Sequence, residues 1–482
     1  MTHWHELFEA ARPAFAQQRT FERARVLGLS ALACLGRHTL SGLLCTAGQQ
    51  FHDWSAAYRL FERERLDPET LWAAVRQSLL AQLPPCAPLV LLLDDTLCRK
   101  RGRHIHGTSW RRDPLGPAFT DNFVWASRFL QLSLALPERF DAPASLARAI
   151  PIDLQPAPSP RKPAKNAPPE SWQAWRTASA SASLSRLGAS RISVLRAQLD
   201  AQPGGAERPL LVCADRAFTC RPVLRQLPSR TTLVGRLRKD ARLYAPPTPQ
   251  PQNPGRGRQR GYGDRLRTPE QYRQDEALPW QTVRACAAGN TYDFQVKVVT
   301  PVRWKAAGVG RDLLLLLVRP LSYRPRQGAR RLYHRPLYLI CTDPGLSPAQ
   351  ILQAYLWRWE IELNFRDQKT LLGFGQPQVR TEAAVRTTAA FYVFCYALLL
   401  LALHRCQMVH LPLPPPRWRR QPPSRPLQRI STAQAISLLR ANLWAQALGL
   451  TNKNGFAVVR PAAQSPPQIQ YAVPSALLTA SG

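Results

Sequence analysis

A segment in the last third of the chain sets one carboxylate among cations and a tyrosine at helical spacing. It reads YLWRWEIELNFRDQK over residues 355–369, and the side chains in question are Tyr355, Arg358, Glu362 and Lys369. On a helix of 3.6 residues per turn these four point within an arc of about 60°. Arg366 falls on the same side. A solvated charged face with chance spacing is the simpler interpretation, so the rest of the chain has to decide.

Further carboxylates stand where predicted strands end. The run PLVLLLDDT (88–96) is apolar until Asp94 and Asp95, and RPLLVCADRAF (208–218) is apolar until Asp215. Continuous apolar runs of this length predict buried central strands. Strand ends of an open α/β sheet can meet at one edge, so these acids can converge with Glu362. Taken singly, each aspartate could equally belong to a strand-terminating turn or a helix cap.

Three converged carboxylates would have a definite chemistry. They can hold two hard cations through oxygen ligands. Two such ions about 4 Å apart activate a water or a 3′-hydroxyl and stabilise the leaving oxygen in phosphoryl transfer. The net charge of +34, from 65 Lys and Arg against 31 Asp and Glu, favours nucleic acid as the polyanionic partner.

The elements that must position these residues follow from periodicity. Residues 1–84 have apolar residues at helical spacing, which predicts a helical amino-terminal domain. The segment of the opening motif predicts one helix, capped by Ser347 and ended at Gly373. Further strands are predicted in 122–137, 231–238, 293–304, 312–321 and 335–343, and further helices in 171–199 and 383–405.

Other patterns bear on compartment and partners. Ten cysteines without a C-x-x-C pair indicate reduced, structural thiols in a cytosolic protein. The longest apolar run, 389–403, has 15 residues, which is too short to span a membrane and predicts a buried core helix. The segment 99–112 is either a DNA-contacting hairpin or a basic loop. A Gly/Arg-rich loop is expected to bind phosphate through Arg256, Arg258 and Arg260.

In this arrangement the chain resembles the DDE transposases of bacterial insertion sequences, in the group whose third motif is called YREK. The motif Y-x2-R-x3-E-x6-K is matched in full by the opening segment, LLLDDT resembles the first motif, and ADRAF resembles the second. The resemblance covers roughly 30–405. It implies a mixed α/β, RNase H-like catalytic core with a β-rich insertion between the second and third acids.

The resemblance also implies roles for individual residues. Asp94, Asp215 and Glu362 would be the catalytic acids and the ligands of two Mg²⁺ ions, with Mn²⁺ as a substitute. Asp94 is preferred because Thr96 fits the family's D-x-T spacing, and Asp95 is the alternative. The motif residues Tyr355, Arg358 and Lys369 would contact DNA. Arg366, which lies on the same helix face but is not part of the family motif, is expected to do so as well. The reaction would be cleavage at transposon ends and attack of the 3′-hydroxyl on target DNA.

The expected organisation and partners complete the hypothesis. The segments are a helical accessory domain (1–84), the first part of the core (85–239), the β-rich insertion (240–335), the second part of the core (336–408) and a Pro/Arg linker and tail (409–482). The partner is double-stranded DNA, bound by a homodimer at the transposon ends, in the bacterial cytoplasm and nucleoid and without a membrane. The alternatives are an RNase H-like nuclease that does not join strands and an inactive, domesticated DNA-binding descendant.

Overall fold

The computed structural model describes residues 2–85, 87–113, 116–117, 119–120, 122–142, 144–247, 261–308, 310–324, 328–406 and 429–447. The helices in these ranges are α1 (Thr2–Glu9), α2 (Gln18–Ala33), α3 (Leu40–Thr46), α4 (Ser55–Glu62), α5 (Pro68–Leu80), α6 (Pro169–Ser181), α7 (Leu184–Asp200), α8 (Arg221–Arg225), α9 (Pro269–Gln274), α10 (Pro348–Trp357), α11 (Trp359–Thr370), α12 (Glu382–Arg405) and α13 (Thr432–Ala447). The strands are β1 (Leu89–Arg99), β2 (Ser109–Arg112), β3 (Phe123–Pro137), β4 (Ala147–Pro156), β5 (Leu210–Ala214), β6 (Thr231–Arg236), β7 (Gln281–Ala287), β8 (Asn290–Val302), β9 (Leu313–Val318), β10 (Ser322–Tyr323), β11 (Leu332–Tyr333) and β12 (Leu337–Cys341).

A mixed sheet forms the centre of the fold. Its order is β2-β3-β1-β5-β6-β12-β9-β8-β7, and β4 also pairs with β3. Strand β1 runs antiparallel to β3 and parallel to β5, which is parallel to β6. The five strands β4-β3-β1-β5-β6 are the RNase H-like core, and the predicted fold class is confirmed.

The β-rich insertion continues the same sheet. Strand β12 pairs antiparallel with the core strand β6 on one side and with β9 on the other. Strands β9, β8 and β7 then follow as an antiparallel meander. The apolar runs predicted as strands in 293–304, 312–321 and 335–343 therefore all lie in the central sheet, where their Leu- and Val-rich faces are buried.

The long helix α12 is the centre of the helical layer. Helices α1, α2, α4 and α5 all pack against it, and their buried side chains belong to the same hydrophobic core as one face of the sheet. Among the described residues, α12 is the one helix long and apolar enough to cross a membrane by length and composition. Because 89% of its most apolar stretch is buried inside the fold, the prediction of a core helix is confirmed.

Two segments predicted as single helices are each divided. Ser183 has an extended backbone (φ −66°, ψ 137°), which separates α6 from α7. At Arg358 the backbone stays helical (φ −55°, ψ −31°). Its N–H nevertheless donates to the Tyr355 carbonyl, and its own carbonyl accepts from Ile361, both at three-residue spacing. This tightening separates α10 from α11 within the motif.

The sequence prediction also missed elements. Strand β4 was not predicted, although it pairs with β3 along nearly its whole length. The nine described cysteines are free, as expected of reduced thiols. The proposed segment boundaries remain predictions, and the residues 256, 258 and 260 of the basic loop lie outside the described ranges.

Candidate active site

Strand pairing places two of the predicted acids side by side. In the parallel register of β1 and β5, Leu93 lies opposite Ala214, so Asp94 and Asp215 directly follow paired positions on neighbouring strands. Asp215 also closes the turn after β5, because its Oδ1 accepts the backbone N–H of Ala217 (2.8 Å) and of Phe218 (3.3 Å). The apolar run therefore forms the buried strand, and the acid that follows it places a carboxylate at the sheet edge.

The two consecutive aspartates of β1 have different partners. Successive side chains of a strand point to opposite faces. Asp94 accepts a hydrogen bond from Arg358 Nη1 at 3.0 Å, across from the motif helix. Asp95 instead pairs with Arg128 of β3, with 2.6 Å between Nε and Oδ2. Asp94 lines the same cleft as Asp215 and Glu362, whereas Asp95 is not among the lining residues.

Arg358 connects two of the three acids. Its guanidinium donates through Nη1 to Asp94 and through Nη2 to Glu362 Oε1, the latter at 2.7 Å. The carbon of the guanidinium also lies 5.8 Å from the centre of the Tyr355 ring, within the range of a cation–π contact. The motif arginine therefore holds a strand carboxylate and a helix carboxylate toward one point.

The electrostatics of the cleft are those of a partly buried acidic centre. Burial raises the pKa of Asp94 to about 7, although Arg358 opposes the rise, and the neighbouring Asp215 adds to it. Burial opposes the charge on Arg358, but Tyr355, Asp94 and Glu362 outweigh it and raise the pKa of the guanidinium. The arginine therefore stays charged. Its positive charge does not fully offset the cost of burying the Asp94 carboxylate.

Cationic side chains form the rim of this cleft of about 870 Å³. Besides Arg358 they are Arg216, Arg236, Arg238, Lys239, Arg273 and Arg335. Two of these carry a carboxylate partner, since Arg238 pairs with Asp240 and Arg273 pairs with Glu270.

Three of the rim arginines lack a carboxylate partner in the described part of the chain. No described carboxylate forms an ion pair with Arg216, Arg236 or Arg335, nor with the rim lysine Lys239, so their charge is available to a ligand. Sequence reasoning missed these three residues, although each stands at a recognisable position: directly after Asp215, at the end of β6, and just before β12.

Only part of the predicted motif face reaches the cleft. Tyr355, Arg358 and Glu362 line it. Arg366 is exposed and pairs with its neighbour Asp367. Lys369 is not among the lining residues, and its charge acts on the buried thiol of Cys98 in β1. The DNA-contacting roles of Arg366 and Lys369 stay predictions.

The three acids fit a divalent cation by their chemistry. All three are carboxylates around one cleft, and the raised pKa of Asp94 marks a charge that a cation would compensate. Within the described part of the chain, no three Asp, Glu, His or Cys side chains are gathered at metal-ligand spacing. Arg358 lies between Asp94 and Glu362 in this arrangement, so it holds oxygens that would serve as ligands.

A mixed sheet of this order, with acids on β1, directly after β5 and on the helix α11, defines an RNase H-like protein. The chain belongs to the family described as DDE superfamily endonuclease, whose family model matches residues 12–308. The match contains Asp94, Asp95 and Asp215 and ends before Glu362. A comparison with curated proteins gave no match.

Proposed function

We propose that this DDE endonuclease is a DNA transposase, which cleaves the ends of its element and joins the freed 3′-hydroxyl to target DNA. The observation that carries the proposal is the shared cleft of Asp94, Asp215 and Glu362 beneath a cationic rim. Acids alone would suit many cation sites. Acids at the floor of a basic cleft suit the cleavage of a polyanion, because the rim binds phosphates while the floor serves the reacting one.

Each group has a distinct part in the proposed reaction. Asp94, Asp215 and Glu362 would hold two Mg²⁺ ions, or Mn²⁺ in their place, which supply activation of the attacking oxygen and stabilisation of the leaving one. Arg216, Arg236 and Arg335 bind the phosphates on either side of the cleaved one. Arg358 orients two of the carboxylates. Tyr355, packed below it, fixes the plane of the guanidinium.

The remaining parts of the proposal concern the assembly. The substrate is double-stranded DNA, as transposon ends and as target. A homodimer forms on the DNA ends, in the cytoplasm and at the nucleoid of a bacterium. The large basic excess of the chain supports a DNA partner.

The test is strand cleavage of labelled DNA that carries the sequences flanking the gene. The parent protein is expected to nick this DNA at the element boundary with Mg²⁺ or Mn²⁺ and not with EDTA. Glu362→Gln should lower the rate by about 1,000-fold or more and leave DNA binding within a factor of a few, because it removes a ligand charge and spares the rim. Glu382→Gln, on the exposed first turn of α12, is the matched control. Equal cleavage by Glu362→Gln and the parent would refute the site.

A nuclease that cuts without joining strands is the second candidate. Membership in a family of endonucleases favours it. The same reaction separates the two, since a transposase converts labelled ends into products covalently joined to a target plasmid, and a nuclease leaves free ends. Binding without cleavage under any metal would indicate the inactive, DNA-binding descendant.

A further inference from the structure

A two-stranded ribbon extends beyond the sheet edge where the acids lie. The pairing of β1 with β5 stops at Leu93, but its pairing with β3 continues to Arg99. Strand β2 then pairs with the same end of β3, from Ser109 to Arg112. Arg99 is the fifth residue after Asp94, so the ribbon reaches about 17 Å past the acid along the strand.

One face of this ribbon carries exposed aromatic rings. Trp110 lies directly opposite Trp125, with ring centres 5.6 Å apart at an interplanar angle of 72°. The Arg103 guanidinium covers both indoles, at 5.2 Å from Trp110 and 5.1 Å from Trp125. Trp110 is nevertheless 55% exposed, and Phe123 two residues along the ribbon is 58% exposed. We call Arg103, Trp110, Phe123 and Trp125 the aromatic platform.

The platform is held in place from below. The Trp125 indole N–H donates to the Gly102 carbonyl at 3.0 Å, and Arg111, on the opposite face, donates to the Ala157 carbonyl at 3.0 Å. Lys100 Nζ donates to the carbonyls of Gly375 (2.7 Å) and Pro377 (2.8 Å), which ties the ribbon to the segment that follows the motif helix. Fixed rings lose little conformational freedom when a planar ligand stacks on them.

The positive charge around the platform favours a planar ligand that carries a negative charge. Residues 99–112 contain six Arg or Lys residues and no Asp or Glu. Among the described residues, no carboxylate pairs with Arg103. An exposed indole beside a guanidinium that no described carboxylate neutralises suits a flat ring attached to a phosphate, because base–aromatic stacking and phosphate binding then act together.

We infer that the aromatic platform stacks an unpaired DNA base on the ribbon that extends past the acids. Nucleobases in a duplex are already stacked on each other, so the platform would favour single-stranded tails or a flipped nucleotide over an intact duplex. The inference rests on DNA as the proposed substrate. It goes further by assigning the ribbon of β1, β2 and β3, and Trp110 above all, to the recognition of unpaired bases.

The test compares binding of two labelled DNAs of equal length in EDTA, a blunt duplex and a duplex with a 3′ single-stranded tail containing 2-aminopurine. Trp110→Ala is expected to weaken binding of the tailed DNA about tenfold and to remove the quenching of 2-aminopurine, while binding of the blunt duplex changes little. Trp110→Phe should restore most of both effects. Phe140→Ala, an exposed aromatic 47% accessible beyond the other end of β3, is the control.

The binding test separates base stacking from the proposed cleavage activity, because it is carried out in EDTA and measures no cleavage. Equal weakening of both DNAs by Trp110→Ala, or of neither, would refute stacking even if the protein cleaves DNA. No binding of either DNA by the parent would refute the DNA substrate together with the stacking. Unchanged thermal unfolding of Trp110→Phe shows that any loss in that variant is not one of folding.

Discussion

At the scale of single residues, the two neighbouring aspartates of β1 are held by different arginines. The apolar run LVLLL predicts that a carboxylate lies at the end of a buried strand, and the spacing to Thr96 favours Asp94. The decisive fact is tertiary, since Asp94 is bonded to Arg358 from the motif helix and Asp95 to Arg128 from β3. Both arginines are remote in sequence, so no local pattern could have shown which carboxylate each one binds.

This difference in partners predicts different consequences of the two amide substitutions. Asp94→Asn should lower metal-dependent cleavage by about 1,000-fold, because it removes a carboxylate of the cleft. Asp95→Asn should keep cleavage within about tenfold of the parent and mainly weaken the ribbon, since its ion pair is lost. Cleavage rates at saturating DNA, with thermal unfolding as the check on folding, decide the matter. If Asp95→Asn were inactive and Asp94→Asn active, Asp95 and not Asp94 would be the catalytic carboxylate of β1.

In the motif segment, helical spacing predicts the position of some residues and not of others. Helical spacing predicts one shared face for Tyr355, Arg358 and Glu362, and all three line the cleft because they lie within two turns of each other. The tightening at Arg358 falls among these three residues and does not take them out of the cleft. Lys369 lies two further turns along α11 and is not among the lining residues. The unpaired rim arginines lie beside strand ends, but the sequence alone does not single them out among its 65 Arg and Lys residues.

At the scale of elements, strand β4 explains why one core strand escaped prediction. Its sequence ARAIPIDLQP contains Arg148 and Asp153, both buried, and two prolines. Buried charges in a strand are tolerable only with partners. Those partners are Glu138 for Arg148 and Arg191 for Asp153, supplied by the β3–β4 connection and by α7. Strands β1 and β5 needed no such partners within their apolar runs and were predictable.

Arg191 links three elements, which gives a stability prediction with a definite pH dependence. It binds Asp153 of β4 (2.6 Å) and Glu69 of α5 (3.0 Å). Burial raises the pKa of Asp153, and Arg191 opposes the rise. Arg191→Met leaves that carboxylate buried without its cation, which should cost about 3 kcal/mol in the free energy of unfolding at pH 8.

The loss should be smaller at pH 5. An acid whose pKa is higher in the folded than in the unfolded state destabilises the fold as the pH rises above its unfolded value of about 4. Removing Arg191 raises the folded pKa of Asp153 further, so protonation at pH 5 relieves more of the penalty. Urea unfolding at both pH values measures this. Arg139→Met, which breaks the exposed pair with Asp141, should have little effect at either pH, and a loss independent of pH would contradict the assignment to Asp153.

At the scale of the whole molecule, DNA binding can depend on the total positive charge or on where the cations lie. The sequence gives the total charge but not the location. A net charge of +34 attracts any polyanion, wherever the cations lie. The fold adds a location, because it brings Arg216, Arg236 and Arg335 from three separate chain segments to the rim of one acidic cleft. Each of them lies beside a strand end, so the sheet order that places the acids also places the cations.

The salt dependence of DNA binding distinguishes location from total charge. Replacing Arg216, Arg236 and Arg335 together by Gln should reduce the slope of log K against log salt by about 3, since each phosphate contact contributes roughly 0.9. The matched control replaces Arg139, Arg230 and Arg284 by Gln, which removes the same charge from residues already paired with Asp141, Asp200 and Asp293. If the total charge governed binding, both triple variants would show the same slope. Binding titrations between about 50 and 200 mM salt, the range over which phosphate contacts weaken most visibly, would then show whether the cleft or the overall field holds the DNA.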